Sequence, residues 1–245
     1  MGDKALLSTE EASGAEKAEL LIVIPAYNEA ENIERVVNHL TANFPQYDYV
    51  VVNDGSRDET AAICQRNGYN LLNLPVNLGL AGAFQAGLKY ADKYGYQYAV
   101  QLDGDGQHRP EYLESMIKKM EEGYDIVIGS RFVGEKKPFT MRMLGSNLIE
   151  MAIRFTTGVN IKDPTSGMRM FSKRMIREFA SGLNYGPEPD TVSYLIRPGA
   201  RVAEVPVIMD ERILGVSYLT PVNAMRYMLK MLISILLIQN FRKRR

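Results

Sequence analysis

From residue 20 onward, short apolar runs alternate with amphipathic stretches. "LLIVIP" (20–25) has no polar position and ends at a proline, as a strand buried on both faces does. In "AENIERVVNHLTANF", Ile33, Val36, Val37 and Leu40 fall at helical spacing. "YDYVVVND" (47–54), "YNLLNLP", "YQYAVQLD" and "YDIVIGS" read as four further strands. Between them "DETAAICQRNG", closed by Gly68, "GLAGAFQAGLKYADKYG", and "PEYLESMIKKMEEG", opened by Pro110, read as helices. Strands and helices alternating at this pace predict an α/β fold, a mostly parallel sheet covered on both faces.

The alternation weakens after about residue 132. A loop with Lys136, Lys137 and Pro138 precedes a helix predicted over about 142–157, followed by irregular chain. "AMRYMLKMLISILLIQNFRKRR" predicts a C-terminal amphipathic helix with Met228, Met231, Leu232, Ile235 and Leu236 on one face. Its uninterrupted apolar run, Met231 to Ile238, is far shorter than the roughly 20 residues a membrane span needs. With the basic residues around it, the helix suits the surface of an anionic membrane; packing on its own domain or on a partner chain is the alternative. The organisation expected is a flexible tail over 1–18, a catalytic domain over 19–220 and this helix over 221–245.

The chain has 245 residues, 46% of them hydrophobic, enough for one large core. Formal net charge is zero, so nothing in the overall balance marks a nucleic-acid binder. The single cysteine, Cys64, forms no internal disulfide and fits a reducing compartment. Residues 1–19 lack the apolar segment of a secretory signal.

Polar residues gather at the carboxyl ends of the predicted strands, where open parallel sheets bind ligands. The first strand delivers Tyr27, Asn28 and Glu29, the second Asp54 before Gly55, the third Asn77 and Gly79, the fourth Asp103 and Asp105. Taken singly, "NDGS" is a turn with a helix cap, Asn77 and Gly79 a helix start, and Asp103-Gly104-Asp105 a solvated acidic turn. Taken together, the acidic pair suits a hard cation such as magnesium or manganese completed by substrate phosphates, with Gln107 or His108 as a further ligand. A phosphate-binding G-x-x-x-x-G-K-[ST] loop, a dinucleotide G-x-G-x-x-G after the first strand, a zinc cluster and a G-x-S-x-G elbow are all absent from the sequence.

The segments "VIPAYNEAENI", "VVNDGSRDET", "NLGLAGAFQAGL", "QLDGDGQHRPE", "DIVIGSRF" and "DPTSGMRMF" resemble, in order and near spacing, family 2 inverting glycosyltransferases of GT-A fold. The likeness covers about residues 20–220 and leans toward dolichyl- and undecaprenyl-phosphate sugar synthases and cell-wall polysaccharide transferases. It implies that Pro25, Ala26, Tyr27, Glu29, Asp54, Asn77, Gly79, Asp103 and Gly104 bind a nucleotide-sugar donor, with a UDP-sugar favoured. It implies that Asp103, Asp105 and Gln107 hold Mg2+ or Mn2+, and that Arg131, Ser166, Arg169 and Arg212 contact donor phosphates or acceptor. Asp163, Glu188, Asp190 and Arg169 are the candidate catalytic residues; a base is needed only for a hydroxyl acceptor. As structural features, Asp163 before Pro164 is a turn former, and Glu188 and Asp190 suit a helix N-terminus. The activity implied is metal-dependent transfer to a polyprenyl phosphate at the cytoplasmic face of the membrane, as a peripheral protein. Addition to a hydroxyl of a lipid-linked saccharide is the alternative, and a non-catalytic nucleotide-sugar-binding subunit a remote one. A homodimer or a small membrane partner would equally cover the last helix. The stretch "NYGPEPDTVSYLIRPG" departs from the acidic helix start of lipid-phosphate transferases.

Overall fold

The computed structural model describes residues 19–135, 137–138, 140–181, 186, 188–210 and 221–239. The tail over 1–18, Lys136, Arg212 and the basic residues 242–245 lie outside them. Strands β1 (Leu20–Ala26), β2 (Asp48–Asn53), β3 (Leu71–Asn73), β4 (Tyr98–Gln101), β5 (Ile126–Ser130), β6 (Arg169–Ser172) and β7 (Val202–Pro206) form one sheet. Their order is β3-β2-β1-β4-β6-β5-β7, with β6 antiparallel to both neighbours and every other pairing parallel.

β1 sits near the middle because it has no polar side chain to present to water. Leu21 and Val23 enter the core on one face, Leu20, Ile22 and Ile24 on the other. Helices α1 (Ile33–Asn43), α2 (Thr60–Arg66) and α4 (Leu113–Glu121) cover the second face through Val37, Leu40, Ile63, Leu113 and Met116. Helices α3 (Gly79–Tyr94), α5 (Met141–Thr157), α6 (Lys173–Ala180), α7 (Pro189–Ile196) and α8 (Pro221–Ile233) cover the first. There Phe84, Phe171 and Phe179 pack ring on ring at 5.3–6.4 Å.

In the region beyond the helix at 142–157, read from sequence as irregular, the described residues form β6, α6, α7 and β7. β6 has four residues and begins at a buried arginine, so no apolar run announces it. α6 buries Met175, Ile176 and Phe179 but has only eight residues, fewer than a periodicity window. β7 lies at the sheet edge and offers a glutamate at its centre. The last helix continues past α8 as a π-helical stretch, Ser234–Ile238. Among the described residues, no helix is long and apolar enough to cross a membrane.

α3 approaches β1 closely because Gly87 has no side chain: a Cβ there would lie 2.3 Å from Val23 Cγ1. Gly87→Ala should overpack this contact and cost about 1–3 kcal/mol. The expected result is a lower urea midpoint with unchanged slope; an unchanged midpoint would show that the helix gives way freely.

Candidate active site

The chain leaves β1 toward β2 and β3 on one side and returns after β3 to β4 on the other. This reversal opens a crevice between the carboxyl ends of β1 and β4, the usual ligand position in such sheets. The loop after β1 is tied to the loop after β2. Asn28, in the left-handed region at φ 56°, donates its N–H to Ser56 Oγ (3.0 Å) and accepts from Arg57 N–H at Oδ1 (2.9 Å). Glu29 N–H donates to Thr60 Oγ1 (2.9 Å), and Glu29 Oε2 accepts from Asn32 Nδ2 (2.9 Å). Asp54 is nearly fully buried: its N–H donates to Ala26 O (2.9 Å), and its Oδ1 accepts from Leu78 N–H (2.7 Å). Asn77 Oδ1 accepts from Gly79 N–H (3.1 Å) at the start of α3. Of the residues expected at the nucleotide end, Ala26, Glu29, Asp54, Asn77 and Gly79 are thus held by hydrogen bonds within and between the loops after β1, β2 and β3.

The loop after β4 lies across the end of β1. A Cβ on Gly104 would sit 3.2 Å from Pro25 O and 3.5 Å from Glu29 Cγ, so glycine eases a close approach there. The left-handed position of this loop is Gly106 (φ 81°). Asp103 is half-buried and Asp105 buried. Gln101 Nε2 donates to Asp103 Oδ1 (2.9 Å), Gln107 N–H to Asp105 Oδ1 (3.0 Å), and Arg35 Nη2 to the Asp105 carbonyl (2.9 Å). His108 is buried, and its Nδ1 accepts from Asp103 N–H (3.0 Å), which puts the proton of the neutral ring on Nε2, 3.5 Å from Asp103 Oδ2. Among the described residues, no three His, Cys, Asp or Glu side chains gather as a closed metal cage. Of the pair, Asp103 lines an open cleft and Asp105, two residues on, is buried; carboxylate oxygens suit Mg2+ or Mn2+, which take oxygen ligands and leave positions for phosphate and water. They do not fit a structural zinc.

Beside this loop is a cleft of about 320 Å³, lined by Asp103, Gln107, Arg131, Ser166, Arg169 and Glu188, and by Tyr227 and Met228 of α8. Its floor is built around buried charge. Arg131 donates from Nε and Nη2 to the two carboxylate oxygens of Asp163 (2.7 and 2.8 Å), and Asp163 is fully buried. Glu204 of β7 holds the turn beneath by accepting from the N–H groups of Lys162 and Asp163, each at 2.8 Å. Arg169 is buried, donating from Nε to Ser166 O (2.8 Å) and from Nη2 to Pro164 O (2.5 Å). Its Nη1 has no hydrogen-bond partner among the described residues. Burial pushes the Arg169 pKa down, against the fields of Tyr227, Glu188, Asp163 and Asp190. Tyr227 donates its hydroxyl to Glu188 Oε2. Burial pushes that phenol up, the Glu188 charge adds to the shift, and the hydroxyl keeps its proton.

Of the three acidic candidates for a base, only Glu188 lines the cleft. Asp163 spends both oxygens on Arg131, and Asp190 turns its Oδ2 to Ser234 Oγ (2.6 Å) and Gln239 Nε2 (3.3 Å). The Gln107 side-chain amide donates to Asp210 O (3.2 Å), and Asp210 accepts from Arg109 Nε (2.8 Å). Arg35 and Tyr227 escaped the sequence reading. Their partners are 70 and 39 residues away, and no local motif signals either.

Residues 21–179 match the sequence profile of glycosyl transferase family 2. The chain belongs to that family. This family 2 glycosyltransferase is 32% identical over 223 residues to the polyprenol monophosphomannose synthase of Mycolicibacterium smegmatis, covering 86% of this chain and 84% of that one. It is 31% identical over 210 residues to the undecaprenyl-phosphate mannosyltransferase of Micrococcus luteus, covering 81% and 86%. Its fold matches that of glucosyl-3-phosphoglycerate synthase from Mycobacterium tuberculosis, solved with Mn2+ and UDP-glucose. The TM-score is 0.65 at 19% identity, over 88% of this chain and 78% of that one.

The Arg131–Asp163 pair makes a stability prediction separate from catalysis. Asp163→Asn should lower the unfolding free energy by roughly 3 kcal/mol, since it leaves a mostly buried guanidinium without its counter-charge. Chemical denaturation checks this; wild-type stability would show that the pair carries no structural weight.

Proposed function

We propose that this transferase moves a hexosyl group, with inversion, from a nucleoside-diphosphate sugar to the phosphate of a polyprenyl phosphate, working peripherally at the cytoplasmic face of the membrane. The observation that carries the reading is the unpartnered, buried Nη1 of Arg169 in a cleft whose other end is Asp103. Such a site offers a guanidinium to one phosphate and a carboxylate pair to the cation of another. The two relatives named for polyprenyl-phosphate mannosyl transfer support a lipid-phosphate acceptor and mannose as the sugar.

In this reading Asp103 and Asp105 hold Mg2+ or Mn2+, with Gln107 beside them. When bound, the cation supplies neutralising charge for the departing diphosphate. Pro25, Ala26, Tyr27, Glu29 and Asp54 frame the nucleotide, and Asn77, Gly79 and Gly104 shape that rim. Arg131, Ser166 and Arg169 orient the acceptor phosphate for in-line attack, with Arg212 assigned to the same task. The acceptor oxygen forms its bond to the anomeric carbon as the carbon–oxygen bond to the diphosphate breaks. The acceptor is already an anion, so no proton has to be removed. Glu188, held by Tyr227, would serve as base only for a hydroxyl acceptor.

The test offers purified protein labelled GDP-mannose or UDP-glucose with undecaprenyl phosphate and Mn2+. Butanol-extractable label is expected, lost with EDTA and with Asp105→Asn. Label that appears only with a lipid-linked saccharide would overturn the lipid-phosphate assignment. Glu188→Gln separates the two chemistries: transfer to lipid phosphate should fall less than about tenfold, whereas loss of a general base costs roughly 10²–10⁴-fold.

A further inference from the structure

The C-terminal helix is only half of an apolar surface. Its inner side is committed to the protein. Met231 and Ile235 are in the core, Met228 packs where a Cβ on Gly145 would lie 2.8 Å from its Cγ, and Ser234 and Gln239 bond Asp190. Its outer side exposes Met225, Leu229, Ile233, Leu236, Leu237 and Ile238. On α5, adjacent across the Gly145–Met228 contact, Leu144, Leu148, Met151 and Phe155 recur at intervals of four, three and four residues along one exposed face. Met151 is 66% exposed and Phe155 86%. Two exposed stripes on packed neighbours make one ledge, and apolar surface of this extent marks an interaction site.

The charge around the ledge identifies what lies on it. From Pro221 to Arg245 the sequence has six basic residues and no Asp or Glu. Arg226 and Lys230 are exposed on α8 and Arg154 on α5. The one acid of α5, Glu150, is neutralised by Lys137 at 2.7 Å. Apolar side chains whose exposed charged neighbours on these two helices are Arg154, Arg226 and Lys230 match a bilayer with anionic headgroups, which takes the former into its acyl boundary and attracts the latter. The ledge also adjoins the cleft, since Ala224, Tyr227 and Met228 of α8 line it.

We propose that α5 and α8 together form the face by which the protein lies on an anionic bilayer, with the cleft opening at the edge of that face. The proposal takes from the proposed function only that the acceptor is a membrane lipid. Docking itself is measured without that lipid, so the two readings fail separately.

The experiment floats the full chain on density gradients with phosphatidylcholine vesicles, with or without phosphatidylglycerol and free of polyprenyl phosphate. The wild type should rise with the anionic vesicles, less so in high salt. Met151→Asp/Phe155→Asp on α5 and Arg226→Glu/Lys230→Glu on α8 should each cut the floated fraction at least about tenfold. Circular dichroism and melting should stay at wild-type values, because all four side chains are exposed. Transfer to a short-chain, detergent-dispersed polyprenyl phosphate should be unchanged by the α5 variant. A wild type left in the load fraction with anionic vesicles would overturn the proposal. So would an α5 variant that floats like wild type, which would leave binding to α8 and the basic terminus alone. A dimer in sedimentation equilibrium that the α5 variant splits, without change in flotation, would assign the ledge to a second copy.

Discussion

The site depends on how two carboxylates are kept one residue apart at the end of β4. Left to themselves, such groups repel and the loop relaxes outward. Here the backbone is fixed independently of the charges. Gly104 lets it press on the Pro25 carbonyl, Gly106 turns it, Arg35 grips the Asp105 carbonyl from α1, and the His108 ring takes the Asp103 N–H. None of these contacts requires the carboxylates to attract anything in the protein. In the proposed reading a cation with a diphosphate behind it is what this fixed loop presents its carboxylates to.

The opposite wall of the cleft solves a different electrostatic problem. Arg131 and Asp163 form a mostly buried, bidentate pair, which costs desolvation but fixes the guanidinium plane. Among the described residues Arg169 has no such carboxylate. Two backbone carbonyls hold it, and the charges of Glu188, Asp163 and Asp190 act on it through space. A cation held by carbonyls keeps its attraction for an incoming anion, whereas one held by a carboxylate has spent much of it. The pair orders the wall, and the carbonyl-bound arginine leaves it receptive.

The first half of the fold was legible because each strand from β1 to β5 is an apolar run or ends on turn-forming residues, and each helix covering them has several periodic positions. Of the second half, α5 and the last helix were legible and the elements between them were not. β6 opens on a buried arginine, α6 has three apolar contacts, and β7 is an edge strand. At the site, residue types were legible and pairings were not. Arg131 and Asp163 both stood out by type, yet only the folded chain joins them, which turns a candidate base into the arginine's partner. Tyr227 lay in a helix whose pattern spoke of a membrane surface or of packing, and its hydroxyl reaches Glu188 through tertiary contact alone.

The position of β6 also bears on how the molecule is made. β5 pairs only with β6 and β7, and β4 meets β5 only through β6. A chain growing on the ribosome therefore exposes β5 with no bonding neighbour until some forty residues later, when Arg169–Ser172 arrives and closes the gap from the opposite direction. Until then the β4 edge is an open template, the kind of surface on which nascent chains stick to one another. The antiparallel insert is the keystone of assembly as well as of the sheet, and its arrival carries Arg169 to the side of the cleft where Arg131 already stands.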